Sequence, residues 1–341
     1  MHAIRLHAFG PAENLTYETV ADPEPGPGQV RIAVAAAGVH LLDAALREGG
    51  AFHAVGRGGA SGPNAAAVEL PTIPGREVAG TVDRLGEGSD PAWLGRRVVA
   101  HIGMVPGGYA ELTVTDADRL HELPDTLDES TAVAMIGTGR TALGILQFTD
   151  LGPGSVAVVP AAAGGIGTLL VQYAKNAGAT VIGLAGGPAK TAHATANGAD
   201  LAVDYTLPDW PEHVRAYLGD RHATVVFDSV GGAAARAAVD LLGKGGQHIV
   251  FGWSSEGING GSPLSFTDEE LTARGITSES VLGPAMLDRA GGLRALELRA
   301  LAEAAAGRLR PAVQRFPLAE AAAAHRALET RGTVGKVVLE P

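Results

Sequence analysis

The chain has 341 residues, of which 46% are hydrophobic and 18% charged, and a formal net charge of −11; that is enough chain for two domains, each burying its own core. The acidic balance argues against nucleic-acid and membrane-surface roles, because such a surface repels phosphate backbones and anionic lipid. There is no cysteine, which excludes disulfides and every cysteine-ligated metal site and fits a cytoplasmic protein.

Met1–Arg5 opens directly into alternating residues, without the apolar run of a secretory signal. Residues 1–124 read as short strands and turns. Pro23, Pro25, Gly26, Pro27 and Gly28 punctuate an early loop, after which Gln29–Val34 alternates like a half-buried strand. Val39–Glu48 reads as a helix. Ala51–Asn64 reads as a mobile loop, in which Arg57 either binds an anion or is solvated. Thr72–Asp83, Arg97–Ile102 and Tyr109–Val114 read as further strands.

Near Pro124 the pattern changes. Strands at Val156–Val159, Thr180–Leu184, Leu201–Val203, Val225–Phe227, His248–Phe251 and Ile276–Leu282 alternate with helices at Ile166–Ala177, Ala189–Ala196 and Ala233–Leu242. This is the order of an α/β, doubly wound parallel sheet. A long helix is expected from Gly283 to about Ala306, and a last strand at Gly335–Leu339. Val156–Ala174 is apolar enough to suggest a membrane span, but Pro160, Gly164, Gly165, Gly167 and Gln172 fit a strand, a tight turn and a buried helix better.

That turn carries the strongest signal. Val156–Val159 runs through Pro160, Ala161, Ala162 and Ala163 into Gly164, Gly165, Ile166 and Gly167. Ala162, Gly164 and Gly167 match the dinucleotide pattern, with alanine in place of the first glycine. Small residues let the backbone approach a pyrophosphate and let the helix pack on the strand, while the helix N-terminus attracts the phosphates. An NAD-binding site usually has an acidic residue about 20 positions on, but none occurs from Thr168 to Ala199. Instead Gly186 and Gly187 leave room for a 2′-phosphate and Lys190 can pair with it. The alternative is a solvated Lys190, but the missing acid also points to NADPH.

Several segments together resemble the zinc-independent quinone oxidoreductases, the zeta-crystallin-like branch of the medium-chain dehydrogenase/reductase superfamily. They are Ala36–Val39 before Asp43, Pro74–Gly80, Gly108–Glu111, Ala161–Gly167 and Arg331–Lys336. The resemblance implies a Rossmann NADPH-binding domain (125–285) inserted in a GroES-like, mostly-β catalytic domain (1–124 and 286–341). It implies that Lys190, Tyr205 and Arg331 hold the 2′-phosphate end and that Phe251 and Gly252 lie beside the nicotinamide; Tyr205 and Phe251 also read as plain packing residues. The zinc-dependent relatives have cysteine at His40, histidine at Arg76 and cysteine near Thr138, so no catalytic metal is expected here, and the always-cationic Arg76 opposes one.

Without a metal, hydrogen-bond donors must meet the charge that develops on the acceptor. The resemblance places His40, Asp43 and Thr138 there. The family usually has asparagine at His40 and often tyrosines at Ala45 and Phe52, so His40 is left as proton donor or carbonyl orienter, unless it is structural. Asp43 orients His40 or caps the helix, and Arg140 holds substrate or faces solvent. The expected activity is hydride transfer from NADPH to a quinone or other conjugated carbonyl. The alternatives are an enoyl or alkenal reductase, a non-catalytic NADPH-binding protein and, as a weak third, a metal-dependent alcohol dehydrogenase. The loop 51–64 is expected to act as a lid, and Ile276–Leu282, at the sheet edge, to pair with its copy in a homodimer.

Overall fold

The computed structural model describes residues 1–49, 69–103, 107–256 and 262–341; the expected lid at 51–64, with Arg57, lies outside them. In chain order the strands are β1 (His2–Leu6), β2 (Leu15–Thr19), β3 (Gln29–Val39), β4 (Glu77–Leu85), β5 (Arg97–His101), β6 (Leu112–Asp116) and β7 (Leu120–Glu122). They continue as β8 (Val156–Pro160), β9 (Thr180–Ala185), β10 (Leu201–Asp204), β11 (Ala223–Asp228), β12 (Leu242–Val250), β13 (Thr277–Ser280), β14 (Val313–Pro317) and β15 (Lys336–Glu340).

The strands β8 to β13 form one parallel sheet in the order β10-β9-β8-β11-β12-β13. Every residue of β8 is buried, as in a strand covered by helices on both faces. The order reverses between β8 and β11, so the chain leaves a crevice at their carboxyl ends, the usual place for a dinucleotide in a doubly wound sheet.

A second, mainly antiparallel sheet runs β14-β15-β3-β4-β5-β7, with β6 also paired to β3. The long strand β3 holds it together, carrying β6 on Gln29–Ala33 and β15 on Ala37–Val39. β14 and β15, from the far end of the chain, complete this sheet. Ala36, Ala79, Val99 and Val338 of this sheet share one buried cluster with Val159 of the other and with Ala162 and Leu169 of the turn and helix that follow it. Val133, Met135 and Ile136 belong to the same cluster, so one continuous core fixes the crevice against the strand ends of the second sheet.

Three expectations change. The strand expected from Thr72 begins only at Glu77, because Pro74 and Gly75 intervene and Gly75 has φ +91°. The helix expected from Val39 starts at Leu41, since Val39 still pairs with Val337. The long helix after Gly283 is two helices, Pro284–Ala290 and Leu293–Ala305, broken where Gly291 and Gly292 have φ +76° and +108°. Amphipathic Trp210–Leu218 is a helix that the pass along the sequence left out.

Candidate active site

The dinucleotide turn is built as its sequence requires. Ala161 takes φ +52° and Gly164 caps the helix Gly165–Asn176. A Cβ at Gly167 would lie 2.2 Å from the Ala161 carbonyl oxygen, so only glycine fits this close approach of helix to strand. The helix ladder begins with Thr168 N–H donating to Gly164 O at 2.9 Å. The amides of Gly165, Ile166 and Gly167 therefore stand in the first turn as an anion-binding end. Ala162 is fully buried beneath them.

The far end of the chain docks on this turn. Gly335 N–H donates to Ala163 O at 2.8 Å, and Gly164 and Gly335 form a parallel bridge. Gly335 has φ +69°, and a Cβ there would meet Ala312 O at 2.2 Å, which again demands glycine. Just before it, the Lys190 ammonium donates to Arg331 O at 2.5 Å, and the Arg331 guanidinium donates to Ser254 O and Ser255 O at 2.8 Å each. Burial and the nearby Arg331 cation lower the Lys190 ammonium below its ordinary value. Two cations held side by side favour an anion between them.

Gly186 follows β9 and packs on Thr206, and the half-buried Tyr205 packs its ring against the core beside β10. Phe251 is 7% exposed and belongs to the shared core, while Gly252 approaches the Ser229 backbone, where a Cβ would lie 2.9 Å from Ser229 O. Packing is thus a real part of what Tyr205 and Phe251 do.

Facing the turn, four adjacent strands bring one ionisable side chain each to one end of the second sheet. Lys336 opens β15, His40 follows β3, Glu77 opens β4 and His101 closes β5. Glu77 and His101 are directly opposed partners, so their side chains share a face. Lys336 Nζ lies 2.5 Å from Glu77 Oε2, with both side chains about one-twentieth exposed. Burial alone would raise the Glu77 carboxyl, but Lys336 and the neighbouring groups of the row together outweigh it and hold the group well below the carboxylate range.

A π-helical turn, Met135–Gly139, closes over this row. A Cβ at Gly137 would lie 1.7 Å from Glu77 Oε1, so the carboxylate occupies the space that a side chain there would need. The same turn carries the buried Thr138, whose methyl lies 3.1 Å from where a Cβ of Gly165 would be. Thr138 is thereby brought against the first residue of the cofactor helix. π turns of this kind often mark functional sites.

Asp43 is placed differently from a partner for the His40 ring. Its carboxylate accepts from the His40 backbone N–H at 2.8 Å, Tyr109 Oη at 3.2 Å and Arg76 Nε at 3.3 Å. It caps the helix Leu41–Arg47 and pins Arg76. Burial, then Asp43, raises the Tyr109 phenol well above its ordinary value, so the phenol keeps its proton. His325 Nε2 lies 3.2 Å from the same phenol oxygen. Arg140 is largely buried and donates to Glu297 at 2.6 Å, Glu297 also holds His121 at 2.9 Å, and the guanidinium lies near enough to His101 to disfavour its imidazolium.

Neither Glu77, Lys336 nor His101 was singled out by the sequence reading. His101 sits at a strand end with no motif around it; its one clue is a histidine just before the glycine-rich segment that follows β5.

Three histidines are neutral in the folded chain. Burial, then Lys336, lowers His40 from 6.5 to about 4; burial, then Arg140, does the same for His101; burial, then Arg47, for His325. In each case the unfolded chain binds more protons between the two values. The stability they confer is therefore complete above pH 6.5 and is lost as the pH falls through about 4. Calorimetric unfolding at about pH 5 in buffers of different ionisation enthalpy is expected to show uptake of at least about three protons, to which His193 and the glutamates held below their ordinary values add. Uptake below about one proton would mean that these rings are already charged when folded.

Comparison with known proteins agrees with this geometry. Residues 26–125 match the family described as alcohol dehydrogenase GroES-like domain, and residues 165–290 the family described as zinc-binding dehydrogenase. The chain is 33% identical to a quinone oxidoreductase of Pseudomonas aeruginosa, over 99% of each chain. It is 32% identical to a protein of Burkholderia sp named 2-haloacrylate reductase, over 98% of each. The crystal structure of Escherichia coli quinone oxidoreductase complexed with NADPH superimposes over 100% of both chains, with 26% identity and a TM-score of 0.80. A parallel sheet with its dinucleotide turn, docked on a GroES-like sheet, is thus matched along its whole length, and the chain belongs to the quinone oxidoreductase branch of the medium-chain dehydrogenase/reductase superfamily.

Proposed function

We propose that this protein is an NADPH-dependent reductase of conjugated carbonyl compounds, quinones first among them, and that it works without a metal ion. One observation carries the reading: the row Lys336, His40, Glu77 and His101 faces the dinucleotide turn, with Thr138 packed between them. The E. coli relative, complexed with NADPH, supports the cofactor.

The residues present fit the cofactor. The amides of Gly165, Ile166 and Gly167 would hold the pyrophosphate, Gly186 would leave space at the ribose, and Lys190, Tyr205 and Arg331 would hold the 2′-phosphate. Phe251 and Gly252 would hold the nicotinamide end. When bound, NADPH supplies the hydride. The chain's own part is to hold the acceptor, exclude water and place donors where negative charge develops. We assign that part to His40 and Thr138, with Asp43 fixing the backbone at His40.

What supports the metal-free reading is the donor set. Arg76 stands where a ligand would be needed, Glu77 is engaged by Lys336, and a catalytic zinc needs about three protein ligands. Pairing of β15 with β3, and of β14 with β15, supports a catalytic domain of 1–124 and 286–341 around a cofactor domain of 125–285. β13 is an edge strand with exposed Thr277, Glu279 and Ser280, which supports a homodimer; a monomeric mass by light scattering would remove that part. Among the described residues no helix is long and apolar enough to cross a membrane, and a cytoplasmic location is proposed on the cysteine-free composition. The Burkholderia relative's name favours a second reading, reduction of an enone or acrylate-type double bond.

Loss of reduced-nicotinamide absorbance with a panel of quinones, enones and acrylates, with and without a strong chelator, tests these readings. Turnover of NADPH that ignores chelator is expected. Turnover that chelator abolishes overturns the metal-free part. NADPH binding without turnover of any acceptor turns the assignment to a non-catalytic binder.

A further inference from the structure

We propose that His101 is a second hydrogen-bond donor to the carbonyl oxygen of the acceptor, and that with His40 it forms a two-imidazole clamp on that oxygen. The inference rests on the reductase reading above. It starts from placement. His101 is directly opposite Glu77 on the neighbouring strand and shares its face, and Glu77 is packed under the π turn that carries Thr138. His101 therefore belongs to the same strand-end row as His40.

The protonation of the ring follows from one bond. Gly103 N–H donates to His101 Nδ1 at 3.1 Å. An amide can only donate, so Nδ1 is the acceptor and the single proton of the neutral ring lies on Nε2. Among the described residues nothing accepts from that Nε2–H, and the ring is only partly buried.

His40 mirrors it. Its Nδ1 is buried and has no partner among the described residues. A buried unpaired lone pair is tolerated more readily than a buried unpaired N–H. The proton of His40 is thus also placed on Nε2, away from the buried nitrogen. Both rings are neutral near pH 7, because burial and the cations Lys336 and Arg140 disfavour the imidazolium.

Two neutral N–H donors suit an oxygen that is uncharged in the ground state and gains negative charge in the transition state. A neutral imidazole donates without giving up its proton, as an electrophile rather than an acid. The acceptor gains one hydride, from NADPH, and one proton; the imidazoles supply neither, and the proton comes from solvent water. The clamp does what a metal does for a carbonyl in other enzymes, and the cations around it keep it from charging.

The test uses NADP⁺-saturated protein and 4-nitrophenol, whose phenolate oxygen mimics the charged oxygen and whose absorbance reports its ionisation. The wild type is expected to bind the phenolate form. His101→Phe should weaken that binding by about 30-fold and lower kcat by about 10²-fold with NADPH affinity unchanged. His101→Gln, which keeps an N–H donor, should recover most of both. Should His101→Phe fail to fold, ¹⁵N imidazole spectra of the wild type decide instead: an Nε2–H tautomer supports the clamp and an Nδ1–H tautomer overturns it. Unchanged phenolate affinity in a folded His101→Phe, or no phenolate binding by the wild type, also overturns it. Failure of the reductase reading has a different signature, no turnover of any acceptor by the wild type.

Discussion

Lys336→Met is expected to lower the unfolding free energy by about 3–5 kcal/mol, and Glu77→Leu by a similar amount, because either change leaves an uncompensated charge in the interior. The double variant is expected to be more stable than either single one. The ammonium and carboxylate are 2.5 Å apart, and a Cβ at Gly38 would lie 2.5 Å from Glu77 Oε2. With Gly137 on the other side, the carboxylate is closely packed on two sides, and both charged side chains are about one-twentieth exposed. Urea titrations of the three variants at neutral pH check this, and additive losses would show that the two charges are not coupled. The pair also has a functional consequence. Lys336 is the charge that most lowers His40 after burial. A Lys336→Met protein that still folds should therefore let His40 take a proton at higher pH than the wild type does. A pH–rate profile that is flat around neutrality in the wild type should then gain an acid limb.

The same row shows what one sequence discloses and what it does not. Val156–Gly167 was legible because strand, small-residue turn and helix are consecutive, and each small residue answers a local steric demand such as the approach of Gly167 to Ala161 O. The alternation of strands and helices after Pro124 was legible for the same reason. His40 was reached through a resemblance at its position. Glu77, His101 and Lys336 are far apart in the chain, and only the antiparallel registers β15–β3, β3–β4 and β4–β5 bring them together. Hydrophobic periodicity does not specify register, so nothing local marks these three as one cluster. The Asp43 carboxylate illustrates the converse. Its spacing from His40 allows either capping or ring orientation, and the tertiary partners Arg76 and Tyr109 decide for the backbone. Gly291 and Gly292 were visible, but a pair of glycines in an Ala/Leu-rich stretch reads as a tolerated interruption until their positive φ values are known.

Lys190→Ala is expected to weaken NADPH binding about 10–100-fold, the cost of a charge-assisted hydrogen bond to phosphate, and to change NADH binding by less than about 3-fold. The argument depends on what is absent as much as on the cation. No acidic residue occurs between Thr168 and Ala199 to engage a free ribose 2′-hydroxyl. The acid at the end of β10, Asp204, pairs in register with Ala185 at the end of β9. Its carboxylate is already committed, to the Thr206 amide at 3.0 Å and hydroxyl at 2.6 Å and to the Gly187 backbone. Asp204 thus shapes the Gly186–Gly187 turn. Arg331 is the second cation, but its guanidinium is held by Ser254 O and Ser255 O. Both of those bonds come from Nη2, so only Nη1 and Nε remain to meet a 2′-phosphate beside Lys190, and part of the guanidinium's donor capacity is already committed. Arg331→Ala should accordingly cost NADPH less than Lys190→Ala does, and the two changes should be non-additive because the cations share one anion. Cofactor titrations of the two single variants and the double variant decide this. Equal losses for NADPH and NADH in Lys190→Ala would mean that Lys190 supports the loop through Arg331 O and does not read the phosphate.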